Sequence, residues 1–189
     1  MSVLTFFSTS LFAQEKKMSY DIISKGDKIG QMQIKQRVAD DDLFFSLLSN
    51  VETRLLMNIR VTVQEEAHYH KGKLMLSSSK RFVNDKLKGN KETKAAGDHY
   101  LLTGAKEEKL DQKEINYSFP MLYFKEPVSV VHIYSDYYQK NLLIQAKIKH
   151  TYTIALPEGG SNTYYYSNGI CNKVDIHNAL FSAQMVLNE

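Results

Sequence analysis

The chain has one cysteine, no tryptophan, three prolines and nine glycines in 189 residues. A lone thiol cannot close a disulfide within the chain, so stability has to come from the packed core. Few prolines and the lack of any low-complexity tract argue against a disordered polypeptide. The sequence also lacks a G-x-S-x-G nucleophile elbow, a P-loop and an H-E-x-x-H pair, which removes the ordinary α/β-hydrolase, P-loop NTPase and zincin readings. RNA-recognition signatures and zinc-finger spacings are missing too. A net charge of +3 with a pI of about 8.7 is well short of the basic balance of a nucleic-acid binder. No nucleic-acid partner and no cofactor are expected.

What is present begins with MSVLTFFSTSLFAQEKK. An uncharged apolar run ends at Leu11-Phe12-Ala13 and meets polar Gln14-Glu15-Lys16-Lys17, the form of the apolar region and small-residue cleavage end of a secretory signal. Residues 1–13 are therefore read as a signal segment whose missing positive flank suggests truncation, and 14–189 as a single β-rich domain. About a dozen apolar residues are too few to span a bilayer, so no transmembrane segment is expected in the mature chain. Export to the periplasm or the outer membrane follows as an expectation.

The mature part reads as strand after strand. Val51, Thr53, Leu55, Met57, Ile59, Val61 and Val63 alternate with mainly polar neighbours, a period of two that marks a half-buried strand. From Gln31 to Lys71 there is no glycine or proline, and a strand of that length exceeds the usual range, so a bend or tight turn is expected near Met57-Asn58. Further turns are expected at Gly26-Asp27, Asp40-Asp41-Asp42, Lys71-Gly72, Lys88-Gly89-Asn90, Gly97-Asp98, Gly104 and Gly159-Gly160. Asn168-Gly169 carries the strongest hairpin signal. The Pro-bounded aromatic stretch INYSFPMLYFKEP is expected to cap the core as a short helical or irregular segment. Twelve tyrosines and nine phenylalanines suit the half-wet faces of sheets. The fold expected is all-β: a strongly curved antiparallel meander of about ten strands, a half-barrel or open barrel with little helix.

The side chains that invite a chemical reading are few. Cys171, Asp175 and His177 are the residue types of a cysteine-nucleophile site, but along a strand Cys171 and His177 stand roughly 20 Å apart, far beyond hydrogen-bond reach. Alternation from the Asn168-Gly169 turn puts Cys171, Lys173, Asp175 and His177 on one face and Ile170, Val174 and Ile176 on the other, leaving Asp175 and His177 as a surface ion pair. His68 and His70 share a polar face, two ligands where structural zinc needs four. Eight basic residues between Lys71 and Lys94 read as a solvated hairpin face, or else as a surface attracted to anionic lipid or polysaccharide. His150 and Tyr152 alternate with Ile144, Ala146, Ile148, Ile154 and Leu156 on an apolar face. There a histidine is either a satisfied core group or a polar point in a ligand cavity, which makes His150 and Tyr152 the candidate ligand-binding residues. No catalytic or metal-ligating residue is assigned.

Three stretches taken in order, SYDIISKGDKIGQM, LYFKEPVSVVHIYSD and LPEGGSNTYYYSNGICNKV, resemble an uncharacterised exported family of Gram-negative bacteria classed as a domain of unknown function. The resemblance runs from about Met18 to Leu187. It implies a β-rich envelope protein and brings no catalytic residues. The reading that results is a non-enzymatic cell-envelope protein that binds an apolar or amphipathic ligand, such as a lipid, or an envelope protein partner. Two alternatives stand beside it. One is a hydrolase-type enzyme assembled from distant residues, such as His150 or His132 with a remote carboxylate. The other is a structural interaction module that uses an exposed sheet edge.

Overall fold

A computed structural model describes residues 14–54, 58–178 and 181–188. A first meander comprises β1 (Gln14–Ser24), β2 (Asp27–Ala39), β3 (Asp42–Arg54), β4 (Asn58–His70), β5 (Lys73–Val83), β6 (Lys86–Ala96), β7 (His99–Thr103) and β8 (Glu107–Leu110). A second comprises β9 (His132–Ser135), β10 (Lys140–Ala146), β11 (Thr151–Ala155), β12 (Ser161–Ser167), β13 (Ile170–His177) and β14 (Ser182–Leu187). Antiparallel pairing of β1 with β14 joins the two into one sheet, ordered β8-β7-β6-β5-β4-β3-β2-β1-β14-β13-β12-β11-β10-β9. The single helical turn α1 (Met121–Phe124) lies between the meanders. No helix among the described residues is long and apolar enough to cross a membrane.

The expected architecture is the one observed, with fourteen strands among the described residues where about ten were expected. Extra strands come from turns that glycine does not mark, at Gln139 (φ 53°) between β9 and β10 and at His150 (φ 61°) between β10 and β11. Asn84 and Asp85 turn the chain at φ 48° and 63°, because short polar side chains tolerate the left-handed region. That turn replaces the one expected at Lys88-Gly89-Asn90, and Gly89 instead sits inside β6 opposite Arg81. The first hairpin turns at Lys25-Gly26 (φ 53° and 91°), one residue before the expected Gly26-Asp27, while Lys71-Gly72 and Asn168-Gly169 turn where expected. Paired left-handed residues give the twist that antiparallel hairpins need. Of the turn expected near Met57-Asn58, Met57 lies outside the described residues and Asn58 opens β4, paired opposite Arg54 of β3.

Sharp curvature brings backbones unusually close. A Cβ at Gly30 would stand 2.2 Å from the Asn50 carbonyl oxygen, so only glycine fits where β2 crosses β3 beside a bulge in the β1–β2 ladder.

The wrapped sheet has two different ends. At one, the turns after β1, β5, β7, β9, β11 and β13 form a rim. At the other, the 111–131 connection folds inward and plugs the interior. Ile115, Ser118, Leu122 and Tyr123 of this segment are buried. Tyr123 packs edge-on against Tyr20 and Tyr164, with centroids 5.4 and 6.4 Å apart, and Phe124 lies 5.8 Å from Phe45. The aromatic segment expected to cap the core does so. It also protects an edge, because residues 117–119 run beside β9 and exchange backbone hydrogen bonds with Tyr134.

Candidate functional site

Three places combine polar chemistry with an unusual environment: the rim, the interior beneath β4–β6, and the corner where His150 sits. The rim holds an open cleft of about 1090 Å³. Its apolar lining includes Ile29, Ile59 and Phe181, and its charged lining is Lys25, Asp27, Lys28, Glu52, Arg60 and Asp85. Arg60 bridges two hairpins, with Nε 2.7 Å from Glu52 Oε1 and Nη1 3.4 Å from Asp85 Oδ2. Lys28 Nζ sits 2.7 Å from Asp21. Lys28, Glu52, Arg60 and Asp85 are thus engaged in ion pairs, Lys25 and Asp27 are exposed, and Ile29, Ile59 and Phe181 are the apolar groups that the cleft offers to a ligand.

Below the rim the interior changes character. Glu65 on β4 pairs with Ser79 on β5, whose hydroxyl donates to Glu65 Oε1 at 3.2 Å, and the neighbouring inward positions are Ser77 and Thr93. Asp136, which follows β9, is buried in the same space at 4% exposure, and neither of its carboxylate oxygens nor the Ser77 hydroxyl has a hydrogen-bond partner of good geometry. Burial, opposed in part by Ser77, pushes the Asp136 carboxyl up to about 6. Burial and the Asp136 charge push Glu65 up to about 7 against the Ser79 hydrogen bond. Two of the basic residues read as solvated also face this side. The Lys91 ammonium is 4.9 Å and the Arg81 guanidinium 5.9 Å from the Tyr137 ring centroid, and Lys91 donates to the Tyr137 carbonyl at 2.5 Å. No local pattern marks Glu65 for this environment, because Asp136 lies just after β9 and only the wrapping of the sheet brings it near.

His150 is not on an inward face. β10 ends at Ala146, and the chain turns through Ile148 and Lys149 to place His150 at φ 61°, exposed at the plug end. A left-handed residue breaks the alternation on which the inward reading rested. Tyr152 is buried, and Glu126 brings the two together. The Tyr152 hydroxyl donates to Glu126 Oε1 at 2.8 Å, and His150 Nδ1 lies 3.0 and 3.1 Å from the two carboxylate oxygens. Burial raises the Glu126 pKa, but the hydrogen bonds from Tyr152 and His150 outweigh it and leave the carboxyl below its ordinary value. His132 is exposed on edge strand β9, away from this cluster.

The cysteine also changes sides. A bulge between Tyr165 and Tyr166 pairs Tyr166 with Cys171 and Tyr165 with Lys173, so Cys171 joins Val174 in the core while Asn172 takes the outward position. Burial pushes its thiol up to about 12, which leaves it protonated and unreactive. Asp175 pairs with Lys173 at 3.1 Å and accepts from Tyr165, and His177 meets Ser182, so the expected Asp175–His177 pair does not form. Ser77-Ser78-Ser79-Lys80 has S-x-x-K spacing, but Ser77 points inward and Lys80 outward. His68 Nε2 and His70 Nδ1 both meet Asp42 Oδ1, at 2.7 and 3.1 Å. Those hydrogen bonds hold the Asp42 carboxyl below its usual range, and no group of three or more His, Cys, Asp or Glu among the described residues could hold a metal ion.

The family model described as Domain of unknown function (DUF6134) matches residues 20–188. The chain belongs to that family. No curated protein matches the DUF6134 chain. Among solved structures, a beta-barrel-like protein of domain of unknown function DUF1849 from Brucella abortus is similar, with a TM-score of 0.60 and 14% identity over 96% of this chain and 98% of that one. At that identity the likeness carries the fold alone, and it agrees with the wrapped, unclosed sheet of this DUF6134 domain.

Proposed function

We propose that this DUF6134 domain is a non-enzymatic binding protein of the cell envelope, and that its rim cleft takes the apolar part of an amphipathic ligand. The observation that carries the reading is the cleft itself: about 1090 Å³ at the unplugged end, with Ile29, Ile59 and Phe181 in its lining and Arg60 held by Glu52 and Asp85 beside them. Its size is of the order of small-molecule sites. The filled, tyrosine-rich interior at the other end supports a ligand seated at the rim over one enclosed by the sheet. The export signal read in residues 1–13 supports an envelope location. The buried, high-pKa Cys171 supports a role without a cysteine nucleophile.

One observation favours a second reading. Glu65 and Asp136, with carboxyls raised to about 7 and 6, have the poise of general acids at neutral pH. An enzyme built on them needs a path past Arg81 and Tyr137.

Native mass spectrometry of the protein isolated from its own envelope in mild detergent distinguishes the two. The binding reading expects a co-purifying amphiphile that is lost in the Ile59→Lys variant and retained in Asp136→Asn. Bare protein in every preparation overturns it.

A further inference from the structure

The plug end carries the most exposed aliphatic side chains among those described: Val128 at 75% and Ile148 at 77%, with Val131 at 59% beside them. Val128 follows Glu126 by two residues and Ile148 precedes His150 by two, so the 3.0 Å His150–Glu126 contact ties the two loops into one corner. The Ile144 amide donates to the Val131 carbonyl at 2.9 Å, which fixes this valine against β10. Solvent-facing aliphatic tips held on a rigid frame have no role in the core and form the kind of patch that marks an interaction surface.

The charge around the patch selects its partner. Lys125, Lys147 and Lys149 are exposed in the same two loops. Glu126 is the sole acidic residue in 124–132 and 145–152, and its carboxylate is turned inward to Tyr152 and His150, with a side chain 10% exposed. An apolar tip ringed by lysines fits the boundary between headgroups and acyl chains of an anionic bilayer, where the aliphatic groups enter and the ammonium groups meet phosphates. We infer that the plug-end corner, with Val128, Val131 and Ile148 at its tip and Lys125, Lys147 and Lys149 around it, docks the protein onto an anionic lipid surface. Docking there turns the rim cleft away from the bilayer. The inference does not depend on what the cleft binds.

The test is co-sedimentation with vesicles of phosphatidylethanolamine and phosphatidylglycerol, against vesicles of phosphatidylcholine alone, at low and high salt. Wild-type protein is expected to partition onto the anionic vesicles and to be released by salt. Val128→Asp with Ile148→Asp, and separately Lys147→Glu with Lys149→Glu, are expected to cut binding by about tenfold or more. All four positions are exposed, and unchanged melting temperatures establish that the variants fold. Ile59→Lys at the rim is expected to bind vesicles as wild type does. Failure of the wild type to bind anionic vesicles, equal binding to phosphatidylcholine, full binding by both double variants, or loss of binding in Ile59→Lys overturns the proposal.

Discussion

The interior of this sheet is two environments side by side. Beneath β11–β14 and β1–β2 it is aromatic, and two of its buried tyrosine hydroxyls donate to backbone carbonyls, Tyr20 to Cys171 at 2.6 Å and Tyr166 to Leu122 at 2.8 Å. Beneath the middle of β4–β6, beside a second apolar cluster that includes Ala67, Tyr69 and Leu74, it is polar, with two carboxyls, Ser77, Ser79 and Thr93, and the Asp136 oxygens there lack partners. The first region stabilises the fold by burial with these two hydroxyls paired. The second costs stability whenever its carboxyls ionise. The contrast implies a protein held together on one side and made pH-sensitive on the other.

The largest expected effect breaks the aromatic side. Tyr123→Ala removes the ring wedged between Tyr20 and Tyr164 and is expected to cost about 3–5 kcal/mol in urea denaturation. An Ile59→Lys change at the rim is expected to cost far less. Similar losses for the two would erase the distinction between packed plug and open rim.

The polar side is expected to respond to pH in the opposite sense to a salt-bridged protein. Asp136 is raised from 3.8 to about 6 and Glu65 from 4.5 to about 7. Between each pair of values the native state keeps a proton that the unfolded chain has lost, so stability falls as pH rises through the window and levels off above it. The depressed carboxyls of Asp42 and Glu126 act the other way at lower pH. Asp136→Asn is therefore expected to stabilise the protein at pH 8 by on the order of 2 kcal/mol, with little gain near pH 4. Melting curves of wild type and variant across that range check it, and a gain independent of pH would locate the effect elsewhere.

Smaller effects sharpen the contrast. Tyr166→Phe strips a buried hydroxyl from the Leu122 carbonyl and is expected to cost about 1–2 kcal/mol, read by the same denaturation. Cys171 is expected to resist an aromatic disulfide reagent in the native state and to react on unfolding. Rapid labelling of the folded protein would contradict its burial.

Much of the architecture could be read in the residues, and the reasons for the failures are specific. Alternation through Val51, Thr53, Ile59, Val61 and Val63 identified an inward face because period two survives the hairpin. β3 and β4 pair Thr53 with Ile59 and Val51 with Val61, and so keep the same parity on both sides. Asn168-Gly169 identified a turn because its backbone preference is local. The strand count fell short where the chain turned without glycine at Gln139 and His150. The faces of Cys171 and His150 were misread because a bulge and a left-handed residue each reset the period, and neither leaves a mark in composition. The interior carboxyls were missed for a different reason: Glu65 and Asp136 are 71 positions apart and meet only in the wrapped sheet.

The proposed binding role of the rim is tested most directly by fluorescence titration of the purified protein with a dansyl-labelled fatty acid. Wild type and Asp136→Asn are expected to bind it alike, and Ile59→Lys and Phe181→Asp, folded by circular dichroism, are expected to weaken binding by about tenfold or more. Equal binding by all four proteins, or none by the wild type, would contradict a ligand site at the rim.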